Sequence, residues 1–560
     1  MTSVKKVKVA LLALVAALVI AIPTSAFAAQ TLTIKSDTTG DEYTAYQVLK
    51  GNYVDGKLTN IDWAPGVDST AIINEFKEQD SGFATFAEGK AVGATDVASY
   101  LSNNAAEDDA VARAFATAAA QGISNATVKA EFTEGDKEEG EEGKYPYTAA
   151  VEDDGYYVVV QSKAGKTSDA QDGAYSRFIL GVIGEGATIA KNSKADIPTV
   201  EKKVLEDRED ADWGDTGDFD FTQKIPYKIT GTLPSVYADY DWYYYCFTDQ
   251  MSPGLTLDES SIKVYKNEIK EGNEITGWTP DVSKVDTKST LAQHDGKKDT
   301  VLKVEFEDLK VTNSDLAYGD KIIVYYECTY NADAVIGEPG NPNDVKLTYS
   351  NNPNKDGDGD TGDTPEDRNI VFTYQLDNLK IGEGNDAQFL AGAKFVLLNA
   401  DKTKVAKVTD GKFAGFEDIK MTDGKPDYAG YEMTSGSDGK FYIAGIDEGE
   451  YVLHETFAPG DYTPSEDLTL IISAETKIND QNEGEIITLT LKINDEDPKN
   501  GDTVDGSFTG HVSQTITNIV ATNLPSTGGI GTTIFYIVGI GLILAAAITL
   551  VVRRRNSTTA

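Results

Sequence analysis

Hydrophobic and polar positions alternate along most of this chain, and the exceptions lie at its ends. Val9–Ile22 and Ile530–Val552 are almost uninterrupted apolar runs. Between them the two-residue period recurs in short segments bounded by Gly, Pro, Asn and Asp, the pattern of half-buried strands. Thr31–Lys35, Tyr43–Leu49, Tyr145–Val151, Gly155–Gln161 and Arg177–Val182 belong to a first group. Within that group, Ser69–Glu78, Asp96–Ser102 and Asp109–Gln121 have helical spacing, are rich in alanine and start near a capping Asp, Ser or Thr, which predicts helices.

Roughly 500 residues between the apolar ends exceed what one core can organise, and the segments fall into three domains. The first, 29–191, reads as strands carrying a helical insertion. The second, 192–355, is nearly all strand and turn, opening at Pro198–Val204 and closing at Val345–Tyr349. An acidic linker at 356–367 leads to a third strand-rich domain, 368–523, which starts with Ile370–Ile381 and ends with Gln514–Val520. Short strands separated by tight turns predict a mainly β fold of tandem Ig-like β-sandwiches. Tyr (28) and Phe (20) outnumber Trp (4) and Met (4), as suits pleated sheets.

The ends set the compartment. Lys5, Lys6 and Lys8 precede the first apolar run, and Ala26-Phe27-Ala28 offers a small-x-small cleavage site. Residues 1–28 therefore read as a secretory signal peptide. A net charge of -41 on an exported chain repels nucleic acid and anionic lipid. Export permits a disulfide between the only two cysteines, Cys246 and Cys328, and that bridge is expected; two buried thiols are the alternative. The frame Asn354-x-Asp356-x-Asp358-Gly359 imitates the start of a calcium loop, but Pro365 stands where the bidentate glutamate belongs, so no metal is expected. The three histidines are scattered and no nucleophile motif occurs, which argues against an enzyme acting on an outside substrate or needing a cofactor.

The second apolar run is long enough to cross a bilayer. Leu524-Pro525-Ser526-Thr527-Gly528 stands just before it and Arg553-Arg554-Arg555 follow it. This order resembles the cell-wall sorting signal of Gram-positive surface proteins. The resemblance implies that a sortase cuts between Thr527 and Gly528 and passes the threonyl carbonyl to an amine, with Leu524 and Pro525 completing the recognised segment.

Inside the third domain, Tyr451-Val-Leu-His-Glu-Thr-Phe-Ala-Pro459 places Tyr451, Leu453 and Glu455 on one face of a strand. If the aromatic and the leucine face the core, a carboxyl enters it and must be protonated or paired. The segment resembles the E-box of Gram-positive pilins, whose Glu promotes an isopeptide bond between a Lys and an Asn on neighbouring strands. Lys380 is in phase with Phe372, Tyr374 and Leu376, and it precedes Leu390-Ala-Gly-Ala393, as the resemblance requires. Asn518 is in phase with Ile516 and Val520. The expected crosslink is Lys380–Asn518 with Glu455 as the catalytic carboxyl.

The middle domain offers a second trio. Lys202 shares a face with Val200 and Val204; Asp249 shares one with Tyr243, Tyr245 and Phe247; Asn343 is in phase with Val345, Leu347 and Tyr349. A Lys202–Asn343 bond assisted by Asp249 resembles the other pilin isopeptide domain type, whose helper is often an Asp. Asn351 and Asn352 compete as acceptors, and Asp220 and Glu305 as helpers. The first domain yields no such trio, and no crosslink is expected there.

Signal peptide, three-domain layout, E-box and sorting signal together resemble the backbone subunit of a sortase-assembled pilus, with domains of the collagen-adhesin A and B kinds. The resemblance implies a secreted, cell-wall-anchored structural protein of the fimbria supporting adhesion, with non-catalytic status apart from its self-formed crosslinks. Its implied partners are a class C-type pilus sortase, a housekeeping sortase, identical subunits, minor pilins, peptidoglycan and a host surface receptor. It also implies an acceptor lysine near the end of the first domain. Thr188-Ile-Ala-Lys191-Asn192 keeps the Lys-Asn of that motif without its Tyr and Pro, so Lys191 is the expected acceptor and Lys194 its competitor. A monomeric wall-anchored adhesin built from the same domains is the alternative.

Overall fold

The computed structural model describes residues 29–520 and 530–556, apart from 107–108, 138–143, 169–170, 186, 194, 209–210, 356–358 and 385–387. The expected signal peptide, the Leu524–Gly528 pentapeptide, Lys194 and the centre of the calcium-like frame lie outside the described residues.

The chain is mostly β, in three units along the sequence. In the first, Gln30–Ser36 pairs antiparallel with Tyr145–Val151 and parallel with Ala190–Asn192, so the end of the domain returns beside its start. A second sheet joins Glu42–Val54, Lys57–Trp63, Gly155–Lys163 and Ile179–Ile183. Leu32, Ile34, Tyr43, Tyr147, Tyr157 and Val159 fill the space between the two sheets. The insertion folds as Ser69–Gln79, Ser81–Ala87, Ala94–Asn104 and Ala110–Gln121, capped by Asp68, Asp80 and Asp109 side chains at three of the four N-termini. The second of these helices goes beyond the sequence reading, because seven residues are too short for a clear period. Its Phe83 stacks on Phe76 of the preceding helix, with ring centroids 4.1 Å apart.

The middle unit is a sandwich. One sheet holds Thr199–Leu205, Ile225–Thr232, Lys321–Tyr330 and Leu255–Lys266; the facing sheet holds Tyr245–Met251, Lys298–Phe306, Asn341–Ser350 and Asp367–Phe372. The last strand corrects the expected boundary. Residues 361–372, read as linker and third-domain start, pair with Asn341–Ser350 and complete the middle sheet. The chain then passes through buried Thr373 into Tyr374–Gly382, the first strand of the third unit. The continuous strand expected over Ile370–Ile381 is therefore two strands in two domains, since each half finds its hydrogen bonds on a different neighbour.

In the third unit a long sheet path runs from His511–Val520 through Tyr374–Gly382 and Lys440–Ile446 round to Lys394–Asn399, Gly449–Phe457 and Leu468–Ile478. Side chains from both ends of this path meet in one core, including Leu376, Phe395, Leu453, Leu491 and Ile516, so the sheet curls over on itself.

The units are joined by side chains as well as by chain. Asn351 and Asn354 clasp the first domain through Gly173 O (3.1 Å) and Ser176 O (2.9 Å), while Tyr349 Oη donates to Asp172 O (2.7 Å). Between the middle and third units, Phe221 packs over Gly445, where a Cβ would lie 2.2 Å from its ring. Gly445 also has φ +79°, so both its space and its backbone favour glycine.

The expected disulfide is absent: Cys246 and Cys328 are buried free thiols. Alternation explains the correction. Tyr245, Phe247 and Asp249 turn into the sandwich, so Cys246 faces out of its sheet, beside Tyr244 and Glu305. Cys328 faces inward from the other sheet, with its sulfur 3.7 Å from Met251 Sδ.

Candidate functional site

Two buried lysines define the candidate sites. A lysine ammonium removed from water must find charge or lose its proton. Both do so beside an asparagine and a carboxyl brought from distant strands.

In the third domain, Lys380 and Asn518 lie on adjacent parallel strands, Tyr374–Gly382 and His511–Val520, separated by 138 residues in sequence. Lys380 Nζ donates directly to Asn518 Oδ1 and lies 3.1 Å from Glu455 Oε2. Asn518 Nδ2 donates to Glu455 Oε1 at 2.8 Å, so one carboxyl touches both partners with its two oxygens. Ser465 N–H holds Oε2 at 2.7 Å and fixes the orientation of that carboxyl. The side chains of Lys380 and Glu455 are 0% exposed. Phe395 lines the site, its ring centroid 5.4 Å from Nζ. Burial holds the Lys380 pKa below its ordinary value against the opposing pull of Glu455, which favours the neutral, nucleophilic amine. His454, on the other face of the same strand, is outside this cluster and bonds Asp467 at 2.6 Å.

The middle-domain site bridges the two sheets. Lys202 rises from Thr199–Leu205 in one sheet, whereas Asp249 and Asn343 come from Tyr245–Met251 and Asn341–Ser350 in the other. Lys202 Nζ donates to Asp249 Oδ1, and both side chains are essentially fully buried. Burial pushes the Lys202 pKa down and the Asp249 pKa up, so the pair leans toward free amine and carboxylic acid. Asn343 reaches the cluster through a residue absent from the sequence reading, Tyr326. Its hydroxyl accepts from Lys202 Nζ (2.6 Å) and from Asn343 Nδ2 (2.8 Å), and donates to Asp249 Oδ2. Tyr326 shares the inward phase of Ile322, Val324 and Cys328, a visible signal that it enters the core. Its contacts there depend on how the sheets face each other. Asn343 Oδ1 is buried without a hydrogen-bond partner.

The competing residues are held elsewhere. Asn351 spans the junction to the first domain, and Asn352 donates to Asp360 Oδ2 at 2.9 Å. Asp220 caps the turn at Thr222 and Gln223, and Glu305 accepts from Tyr244 Oη at the surface. In the first domain the buried carboxyl is Asp41. It accepts from Thr38 Oγ1, Gln161 Nε2 (2.7 Å) and Gly165 N (2.6 Å), contacts that tie strands together. Lys191 is exposed on Ala190–Asn192, opposite Ile34 in the parallel pairing with the first strand. At the other end the helix Ile530–Asn556 contains an exposed apolar stretch, Ile534–Val551, of mean hydropathy 2.7, long and apolar enough to cross a membrane.

Three family models match parts of this chain. Residues 221–353 match the family model for the Gram-positive pilin backbone subunit 2, Cna-B-like domain. Residues 378–486 match a prealbumin-like fold domain, and residues 517–558 match the LPXTG cell wall anchor motif. The chain is 25% identical over 438 residues to the trypsin-resistant surface T6 protein of Streptococcus pyogenes serotype M6, covering 69% of this chain and 78% of that protein. The solved T6 backbone pilin of serotype M6 Streptococcus pyogenes is similar at 16% identity and TM-score 0.49, over 89% of this chain and 100% of that one. The major pilin SpaD of Corynebacterium diphtheriae is similar at 15% identity and TM-score 0.43, over 89% of this chain and 98% of that one.

Proposed function

We propose that this chain is a backbone-type subunit of a cell-wall-anchored surface pilus of Gram-positive bacteria, with each copy braced by two internal isopeptide bonds and joined to the next through Lys191. The observation that carries the bracing is the pair of fully buried lysines, each in contact with a carboxyl and within one group of an asparagine amide. The neutral amine attacks the asparagine Cγ, the carboxyl moves protons, and ammonia leaves. Fixed placement within one core replaces an intermolecular encounter with an intramolecular step. In this reading Lys380 bonds Asn518 with Glu455 as catalyst, and Lys202 bonds Asn343 with Asp249 as catalyst.

Polymerisation uses the ends. A pilus sortase of class C type forms a thioester with Thr527 and releases Gly528 with the membrane-spanning segment. The Lys191 amine of another copy then takes the threonyl group and frees the enzyme thiol. A housekeeping sortase transfers the finished polymer to peptidoglycan, and minor pilins and a host receptor are the further partners of this reading. Lys191 suits the acceptor role because it is exposed and sits on a short strand fixed against the first strand of the domain. The covalent path between the attachment points then runs from residue 191 to residue 527, through the middle and third domains.

Two measurements test the proposal. Intact mass of the reduced soluble region should be lower than the sequence mass by two ammonia losses of about 17 Da each; an unchanged mass would sink the crosslinks. Lys191→Ala should collapse the high-molecular-weight ladder of cell-wall extracts to monomer. A persistent ladder would move the acceptor to another lysine.

A further inference from the structure

The two sites solve the same geometric problem with different parts. In the third domain Glu455 reaches the amine with one oxygen and the leaving amide nitrogen with the other. Asp249 is one methylene shorter. It meets Lys202 through Oδ1, and its Oδ2 meets the hydroxyl of Tyr326, which in turn touches Asn343 Nδ2. We propose that Tyr326 is a catalytic residue of the middle-domain crosslinking reaction, extending Asp249 to the leaving nitrogen of Asn343 as a proton relay. This rests on the reading that Lys202 and Asn343 become joined.

The step balances without an outside reactant. The lone pair of neutral Lys202 Nζ forms the bond to Asn343 Cγ, and the carbonyl pair moves onto Oδ1. With Cγ tetrahedral, Nδ2 regains a lone pair and changes from donor to acceptor. Asp249 Oδ1 takes a proton from the attacking nitrogen. The Tyr326 hydroxyl turns from Asp249 Oδ2 toward Nδ2, reversing its hydrogen bond with the protonated Oδ2, which gives its proton to Tyr326 Oη as Tyr326 passes its own to Nδ2. The pair on Oδ1 restores the carbonyl, the Cγ–Nδ2 bond breaks, and ammonia departs. Asp249 and Tyr326 end as they began, and the product is a secondary amide.

The surroundings favour this role over simple packing. Tyr326 is fully buried and its ring stacks on Tyr227, with centroids 5.4 Å apart. That stacking holds the hydroxyl where three polar atoms converge. Burial also keeps its pKa well above the ordinary phenol value, so the hydroxyl retains the proton that it must relay. Other tyrosines of the same core, among them Tyr245, bury their hydroxyls without partners, so a buried phenol here does not by itself require such a network.

The test is Tyr326→Phe, which keeps the ring and removes the relay. The full chain is synthesised in a cell-free system, sampled over time, and mapped by mass spectrometry of its linked peptides. The Lys202–Asn343 link should form about 100-fold more slowly or not at all, the scale of a lost general acid–base group, while Lys380–Asn518 forms at the wild-type rate. Tyr245→Phe, the same deletion at an unpartnered hydroxyl of that core, should leave both links unchanged and controls for packing. Formation of Lys202–Asn343 at the wild-type rate in folded Tyr326→Phe would overturn the relay. Absence of that link in the wild-type chain would overturn the reading beneath it.

Discussion

Asn518→Ala separates the covalent contribution of the third-domain bond from the ion pair beside it. The variant has no acceptor, yet Lys380 keeps Glu455 at 3.1 Å and is not left as a lone buried charge. The bond would close a loop of 138 residues. Treated like any covalent crosslink, a loop of that length restricts the unfolded chain by about 5 kcal/mol at 25 °C. The lost hydrogen bond from Asn518 to Glu455 adds about 1 kcal/mol. For a domain spanning residues 374–520, an unfolding entropy of about 2 cal/mol/K per residue converts 5–6 kcal/mol into a fall of about 15–20 °C in midpoint. Calorimetry of the soluble chain should show the third-domain transition move down by that amount while the others hold. Force spectroscopy gives a second reading. Load entering at Lys191 and leaving at Thr527 would pass through Lys380 directly to Asn518, bypassing nearly everything between them. The variant should release a new extension of about 450–500 Å, from the reach of an extended chain. A midpoint within a few degrees of wild type, together with no new extension, would refute the claim that a bond at this position bears the load.

The remaining expectations concern pH and the thiols. At the junction of the middle and third domains, burial raises Glu206 to about 7, Asp447 to about 10, and Asp218 well above its ordinary value. The folded chain therefore holds protons that the unfolded chain would release, so their contribution is fullest below the ordinary values, 4.5 for Glu and 3.8 for Asp, and is lost as pH rises through about 7 for Glu206 and about 10 for Asp447. Thermal midpoints of the soluble chain measured from pH 4.5 to 7 should fall more steeply in the wild type than in Glu206→Gln; equal slopes would contradict the assignment. Cys246 and Cys328 should resist a thiol reagent in the folded chain and both react in denaturant without prior reduction, because they face different sides of their sheets and burial raises both thiol pKa values. Recovery of fewer than two thiols in unreduced, denatured protein would show that a bridge exists.

Local periodicity decided much of this protein, because side-chain alternation along a strand needs no knowledge of the partner strand. It is enough to send Glu455, Lys380, Lys202, Asp249 and Asn343 inward, and all five are buried. The same alternation carried the answer on the cysteines: if Tyr245 and Phe247 face the core, Cys246 faces away from Cys328. The apolar span and basic tail are likewise properties of composition. What composition and period cannot supply is pairing between strands far apart in sequence. The strand Asp367–Phe372 belongs to the middle domain because its hydrogen bonds go to Asn341–Val345, and nothing in its own residues declares that. Lys380 lies beside Asn518 because the first and last strands of the third domain run parallel, and Glu455 meets them because the sheet curls over one core. Tyr326 shows the division most clearly. Its phase announced a buried phenol, but only the facing of the two sheets placed its hydroxyl between an amine, a carboxyl and an amide. Those three contacts exist only once the tertiary structure has brought separate strands to within hydrogen-bond length.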